Sequence, residues 1–309
     1  MAKISIIIVT CNAIKIIKDC LDSVFLQDFK DFEVIVVDNN SLDRTKEFIK
    51  DNFPQVKLIE NKKNLGFCRA NNQGIEIARG EFILTLNSDV VLENNFLTEL
   101  IKAAEETSRN IGMFSPKILK MDRKTIDSMG IILTRIRRFY NRGKDGVDYG
   151  QYDDKKEIFG PSAACALYKR EMLDKIKKNV EYFDNDFFFL VEDVDLAWRA
   201  NLKGFRGLFV PNAICYHLGN GSRMSKKRRQ YLSFRNRYLM MIKNESWSHF
   251  LKISGYFLIY DISRFFYLIF SNLLIFKAIF EIIYLLPKML KKRRFYFGER
   301  SSILYRNIF

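Results

Sequence analysis

Two periods alternate over the first hundred residues. Ile4–Thr10 (ISIIIVT) and Phe32–Asp38 (FEVIVVD) are β-branched runs that read as strands. Between them, 13–27 places Ile16, Ile17, Cys20, Leu21 and Val24 at helical spacing. After the turn-prone Asn39-Asn40-Ser41, a second helix is predicted to run through Phe53 and stop at Pro54, because proline brings no N–H and disfavours helix in the residue before it. Segment 56–60 reads as a third strand, 69–78 as a helix, and 81–86 as a fourth strand ending in Asn87-Ser88-Asp89. This alternation predicts an α/β fold, a mostly parallel central sheet with helices on both faces. Ligands of open α/β sheets bind at the carboxyl ends of the strands. Thr10, Asn12, Asp38, Asn39, Asn87 and Asp89 all fall there, which makes them one candidate site.

From 111 to 218 the pattern loosens around Pro116, a basic stretch at 135–142 and an acidic, aromatic segment at 182–199, with no internal repeat and no Ser/Gly linker. Segment 249–290 is apolar but interrupted. Its longest uncharged run, 265–276, has 12 residues, short of the ~18–20 needed to span a bilayer. If helical, it places Lys277, Glu281, Lys288 and Lys292 in one narrow polar stripe and Asp261 beside Arg264, ahead of Lys291-Lys292-Arg293-Arg294. That suits helices lying in a membrane interface. The plainer alternative is a hairpin packed on the rest of the chain or on a second copy. The expected organisation is a domain over 1–245 and a basic, apolar helical tail over 246–309 for membrane-interface or oligomer contact.

Charge sharpens this picture. Of a net +15, residues 220–309 hold 18 Lys and Arg against 4 Asp and Glu, whereas 1–219 hold 33 against 32. An anionic surface, acidic lipid or nucleic acid, is the partner such a tail implies. With 309 residues, 48% hydrophobic and only 5 Pro and 15 Gly, the chain is neither mostly disordered nor collagen-like. Its five scattered cysteines never form a CxxC pair, which argues against a disulfide framework or structural zinc and fits a reducing cytosol. Lys3 and the short apolar run behind it lead into a polar turn, so no cleavable signal is expected.

Three places carry candidate chemistry. Asp89, closing a strand, could hold a divalent ion through a hard oxygen, or merely cap a helix over 94–107. In Glu192-Asp193-Val194-Asp195-Leu196-Ala197-Trp198-Arg199, clustered carboxylates follow the aromatic run 187–190, a setting that can raise one pKa toward that of a general base. Spacing alone leaves Asp193 as cap or base, while Asp195 and Arg199, at i and i+4, read as a surface ion pair. His217 precedes the flexible Gly219-Asn220-Gly221-Ser222; beside a metal-binding Asp its neutral imidazole would be a natural further ligand, and otherwise it is structural. His249, near Trp247, reads as interfacial.

Together these fragments resemble the family 2 inverting glycosyltransferases, in the branch close to rhamnosyltransferases, over residues 3 to about 245. The motifs come in the family's order: Ile8-Val9-Thr10-Cys11-Asn12, with Cys11 in place of the usual tyrosine; Val36-Val37-Asp38-Asn39-Asn40-Ser41-Leu42-Asp43; Asn64-Leu65-Gly66-Phe67-Cys68-Arg69-Ala70-Asn71-Asn72-Gln73-Gly74; Asn87-Ser88-Asp89; and the Glu192–Arg199 octapeptide followed by His217. The resemblance implies a GT-A fold and a dTDP- or UDP-sugar donor, with Thr10, Asn12, Asp38, Asn40, Arg69, Asn72, Asn87 and Ser88 on the nucleotide-sugar. It further implies Asp89 and His217 as ligands of Mn²⁺ or Mg²⁺, Asp193 as catalytic base, and a glycan or lipid-linked acceptor. Asn87 replaces the first Asp of the family's Asp-x-Asp motif, a neutral ligand in place of a carboxylate. The implied location is the cytoplasmic face of the cell membrane, held peripherally by the tail, with self-association a further option.

Other readings compete. A nucleotidyltransferase or a dehydrogenase would carry a Gly-rich loop after the first strand, and 10–18 has no glycine. A nucleic-acid-binding protein could use Lys226-Lys227-Arg228-Arg229 and the second basic cluster, yet no nucleic-acid motif accompanies them. An inactive scaffold could explain Asn87, but Asp89, Asp193 and His217 are all present.

Overall fold

A computed structural model describes residues 2–134, 136–219 and 224–296, the side chains of 247–249, 252–254, 256–260 and 295–296 excepted. Arg135, the Asn220-Gly221-Ser222 turn and the His249 side chain therefore lie outside the described residues.

The first hundred residues alternate as their pattern predicts: β1 (Ile4–Thr10), α1 (Ile17–Phe25), β2 (Phe32–Asp38), α2 (Thr45–Asn52), β3 (Lys57–Glu60), α3 (Phe67–Ile77) and β4 (Phe82–Asn87). β3, β2, β1 and β4 are parallel neighbours in that order. Period two sorts their side chains. Ile4, Ile6 and Ile8 meet Ile17, Leu21 and Val24 of α1 on one face, while Ile7, Ile35 and Ile83 meet Ile75 of α3 on the other.

The looser middle is more regular than it reads. It contains β5 (Val90–Leu92), α4 (Phe96–Glu106), β6 (Ile111–Lys120), β7 (Ile126–Ser128), β8 (Ile131–Leu133), β9 (Phe139–Asn141), β10 (Glu157–Ile158), β11 (Cys165–Lys169), α5 (Arg170–Ile176), α6 (Glu192–Leu202) and β12 (Arg206–His217). β11 enters antiparallel between β4 and β6, and β12 runs parallel to β6, so the sheet is mixed and mostly parallel. Pro116 and Pro211 hide these strands from a sequence reading. Both sit at the break where the β6–β12 register slips after Val210, which spares proline a ladder bond it cannot make.

Three further helices follow among the described residues: α7 (Lys226–Asn244), α8 (Trp247–Ser271) and α9 (Leu274–Tyr296). Among the described residues no helix is long and apolar enough to cross a membrane. Three of the four stripe residues of α9 pair with the rest of the protein, while Lys277 stays 63% exposed. Lys292 reaches Glu181 (2.9 Å), Asp184 (2.5 Å) and Asp186 (2.9 Å), Lys288 reaches Asp186 (2.6 Å), and Glu281 pairs with Arg235 of α7 (2.8 Å). The acidic loop ahead of α6 gives these cations a better counter-charge than water does. Part of the tail's positive excess is thus neutralised internally, and the side α9 turns outward carries large aromatics, Phe280 70% and Tyr284 74% exposed, between the exposed Lys277 and Lys288.

Asp195 and Arg199 correct a second expectation. Their pair (2.9 Å) is fully buried, and Asp195 also takes Lys243 of α7 at 2.7 Å. Hidden among carboxylates and cations contributed from 181–199, α7 and α9, it belongs to the core that joins the tail to the sheet.

Candidate functional site

The carboxyl ends of β1 and β4, the end of β12 and the start of α6 enclose one cavity of about 650 Å³. Thr10, Asn12, Asn39, Asn87, Ser88, Asp89, Asp193 and His217, eight of the residues expected to form a site, all stand on its wall.

The topology explains why residues so distant in sequence meet. β5 pairs antiparallel with the last residues of β12, His217 opposite Val90, and the Leu218 N–H donates to the Asp89 carbonyl (3.0 Å). Asp89 therefore lies in the β4–β5 turn beside His217, six residues short of the Asn95 position from which α4 starts, and is not that helix's cap. Asp89 Oδ1 is 3.3 Å from His217 Nε2, and Asp127 of β7 holds the opposite ring nitrogen at 2.8 Å. Burial opposes a charged imidazole, but hydrogen bonds to Asp127 and Asp89 outweigh it and push the His217 pKa up to about 10. Asp127 and Asp89 sit on opposite sides of the ring, so the three do not converge on a point. Among the described residues no group of three His, Cys, Asp or Glu could by itself hold an ion. Asp89 and His217 do fit a divalent ion as a two-donor partial site of carboxylate oxygen and imidazole, the ion taking the place of the Nε2 proton that His217 shares with Asp89, with Asp127 orienting the ring from behind.

Asp193 lies in the first turn of α6. Its carboxylate accepts from the N–H of Val194 (2.8 Å) and of Ala163 (3.3 Å), so it occupies a free N–H of the helix's first turn, whose N-cap position is Val191, and faces the cavity at once. Burial raises its pKa against these bonds. Neighbouring Glu192 is pushed well above the ordinary range by burial and then by the Asp193 charge, and its Oε2 has no hydrogen-bond partner. The approach to this turn is strained: Phe188, Leu190 and Val191 all have positive φ (64°, 70° and 73°). A single side chain spans it. Asn236 of α7 donates to the carbonyls of Phe187 (2.9 Å), Phe189 (2.9 Å) and Leu190 (2.8 Å). Gly66 packs so close that a Cβ there would lie 2.5 Å from the Phe188 ring, which ties the turn before Asp193 to the loop at 64–67.

On the β1–β2 side, Thr10 and Asp38 are register partners, and Thr10 Oγ1 and Asp38 Oδ2 are buried without a hydrogen-bond partner. Such orphaned acceptors are what a bound polar ligand would satisfy. Asp38 lies behind the wall and not on it, its other oxygen accepting from Ser41 N–H (2.9 Å), and Asn40 sits beyond in a left-handed turn. Asn12, also left-handed (φ 55°), accepts from the Leu42 N–H (2.7 Å) and so joins the two strand-end turns.

Like Asp38 and Asn40, two further residues expected on the nucleotide lie off the cavity wall. Arg69 is exposed on α3, off the cavity wall. Asn72 is buried with its amide fully used: it donates to Phe183 O (2.7 Å) and Asn185 Oδ1 (3.0 Å) and accepts from the N–H groups of Tyr182 (3.2 Å) and Phe183 (2.9 Å). Its task here is to hold the acidic loop. Asn72→Ala leaves buried backbone groups unpaired, at about 1–3 kcal/mol each. The expected result is a lower urea midpoint with UDP affinity unchanged in the folded fraction; a selective loss of UDP affinity would return Asn72 to the ligand.

Sequence reading missed Asp127, Glu192 and Asn236. A three-residue strand gives Asp127 no pattern. Glu192 did carry a signal, a carboxylate adjacent to another, and Asn236 a weaker one, an amide in mid-helix where it is intrinsically unfavourable.

Comparison with known proteins agrees with this architecture. A curated Methanococcus voltae protein, the dolichyl N-acetyl-alpha-D-glucosaminyl phosphate 3-beta-D-2,3-diacetamido-2,3-dideoxy-beta-D-glucuronosyltransferase, is 27% identical over 241 residues, 75% of this chain and 71% of its own length. The Staphylococcus epidermidis poly-beta-1,6-N-acetyl-D-glucosamine synthase is 25% identical over 218 residues, 70% of this chain and half of its own. Among solved structures, S. aureus TarS 1-349 in complex with UDP superposes with a TM-score of 0.56 at 21% identity, covering 83% of this chain and 70% of that one. The mannosyltransferase PcManGT from Pyrobaculum calidifontis, in complex with GDP-Man and Mn²⁺, gives 0.56 at 17% identity over 99% and 79%. The shared fold is GT-A. The family model described as glycosyl transferase family 2 matches residues 5–177, from β1 through α5, more than half of the chain. On that match the protein belongs to glycosyl transferase family 2 and is a glycosyltransferase.

Proposed function

We propose that this enzyme moves a sugar from a nucleotide-diphosphate donor, a dTDP- or UDP-sugar, to a hydroxyl of a glycan or lipid-linked glycan, by a single displacement with inversion. One observation carries the reading: the Asp89–His217 pair and the Asp193 carboxylate, from three separate stretches of chain, open into the same cavity. Inversion needs one base and a leaving group opposite it. Asp193, buried and raised in pKa, is suited to take the acceptor's proton as the hydroxyl attacks the anomeric carbon. The orphaned Thr10 hydroxyl on the cavity wall offers a partner for the nucleoside, with Asp38 behind it and Asn12, Asn87 and Ser88 lining the way toward the diphosphate. Mn²⁺ or Mg²⁺, held by Asp89 and His217 and completed by the diphosphate itself, would supply positive charge to the departing group.

The M. voltae relative, whose name carries a lipid-phosphate-linked sugar, supports a lipid-linked acceptor, and the exposed aromatics of α9 support contact with the cytoplasmic membrane face. The branch within the family and the sugar are open to a donor screen by thermal shift. Asp89→Ala tests the site: the parent should bind UDP more tightly with Mn²⁺ than without, and the variant should lose that difference in calorimetry. Titrations that match the parent's would remove Asp89 from the metal site.

A further inference from the structure

A second cavity, about 490 Å³, lies between α7 and α9. Phe188 lines both cavities, and the first turns of α7 form the wall between them, with Arg229 and Ser233 on the catalytic side and Arg228 and Tyr231 on the other. The second cavity is a groove leading from the mouth of the active site to the outward side of α9.

Its charge is unlike that of the rest of the tail. Lys243, Lys292 and Arg237 are held by carboxylates. In the groove, the one carboxylate, Glu281, is already engaged, accepting from Tyr231 Oη (2.6 Å) and pairing with Arg235 (2.8 Å). Lys277, 63% exposed, comes only within 3.9 Å of it. Arg228 is exposed, its guanidinium 5.7 Å from the Phe188 ring centroid, and among the described residues no carboxylate pairs with it. The groove therefore holds two cations in excess. Its far rim is apolar: Leu274 lines it, and Phe280 and Tyr284, three and seven residues beyond Lys277, stand in solvent. A cationic seat between a sugar-transfer site and an exposed aromatic face matches a ligand with the same order of parts: sugar, phosphate, hydrocarbon.

We propose that the groove seats the phosphate of a lipid-phosphate-linked acceptor, with Arg228 and Lys277 as its counter-charges and the exposed aromatics of α9 against the lipid chain. This rests on the glycosyltransferase reading above and gives its acceptor a subsite. The geometry also orients the acceptor. With the phosphate in the groove, the sugar ahead of it points past Phe188 toward Asp193, and the lipid trails toward the surface where it is anchored.

Calorimetry on the full chain, with farnesyl phosphate, farnesol and inorganic phosphate as probes, tests it. Farnesyl phosphate should bind at least tenfold more tightly than either part alone. Arg228→Gln/Lys277→Gln should weaken it at least tenfold, whereas Lys226→Gln/Lys227→Gln, equal in charge but outside the groove, should not. Both pairs are exposed, so folding is not at stake. Equal loss in the two variants, competition by inorganic phosphate as strong as by farnesyl phosphate, or no binding at all would overturn the subsite. UDP binding with Mn²⁺, measured separately, judges the donor reading, so either can fail without the other.

Discussion

Asp193→Asn is expected to lower transfer by about 10²–10⁴-fold, the usual contribution of a positioned base, while UDP affinity stays at the parent's level. The amide oxygen can still accept from Val194 or Ala163 N–H, so the helix start is preserved and only the proton acceptor is lost. Steady-state transfer assays with calorimetry on UDP separate the two effects. The pH profile gives a second readout. Burial raises the Asp193 pKa, and the base works only when ionised, so the parent's turnover should fall as pH drops through a value above the ordinary carboxylate range. The Asn variant should lack that limb. Stability runs the other way. A group whose pKa is raised on folding stabilises the native state below its unfolded pKa, and this is lost as pH rises through the folded value. The Asn variant should therefore gain stability relative to the parent between mildly acidic and neutral pH. A variant keeping most of its turnover would show that Asp193 is not the base, with Glu192 next to be tested.

Asp184→Asn should produce the largest loss of stability. Asp184 is buried between Lys243 (2.5 Å) and Lys292 (2.5 Å), and although burial alone would raise its pKa, the two ammonium groups hold it well below the usual carboxylate range. Removing one partner of a buried ion pair while the others remain costs about 3–5 kcal/mol, and urea unfolding measures it. Lys292→Met should cost less, because Lys243 still pairs with Asp184 while Arg199 holds Asp195. An Asp184→Asn protein as stable as the parent would mean that the cluster does not hold α7 and α9 to the sheet. The depressed pKa also sets a pH window. This stabilisation is present above the unfolded carboxylate pKa and is lost only as pH falls through the lower folded value, so it should persist through mildly acidic conditions.

What could be read from sequence followed from local regularity. β1, β2 and β4 declare themselves because β-branched runs alternate with amphipathic helices, and the polar residues at their ends fall where a site forms. β6 and β12 do not, because Pro116 and Pro211 interrupt runs that are regular only in register with each other. The same limit applies to the site. Asp89, Asp193 and His217 stand in motifs, whereas Asp127 gains meaning only when β7 folds onto β6. Asn72 shows the converse: it sits in a motif, yet its amide is spent on the loop at 182–185. The polar stripe at 277–292 was legible as a stripe, but its direction was not, since a helix pattern does not say which of two charged surfaces it will meet.

The clasp that Asn236 makes on the Phe187–Leu190 carbonyls divides the enzyme's labour along the chain. Every group we place on donor, ion and proton lies before residue 220, but the bend presenting the proton acceptor borrows its rigidity from an amide some forty residues downstream. A fragment ending ahead of α7 would carry the whole reactive set but lose the amide that spans the bend before Asp193.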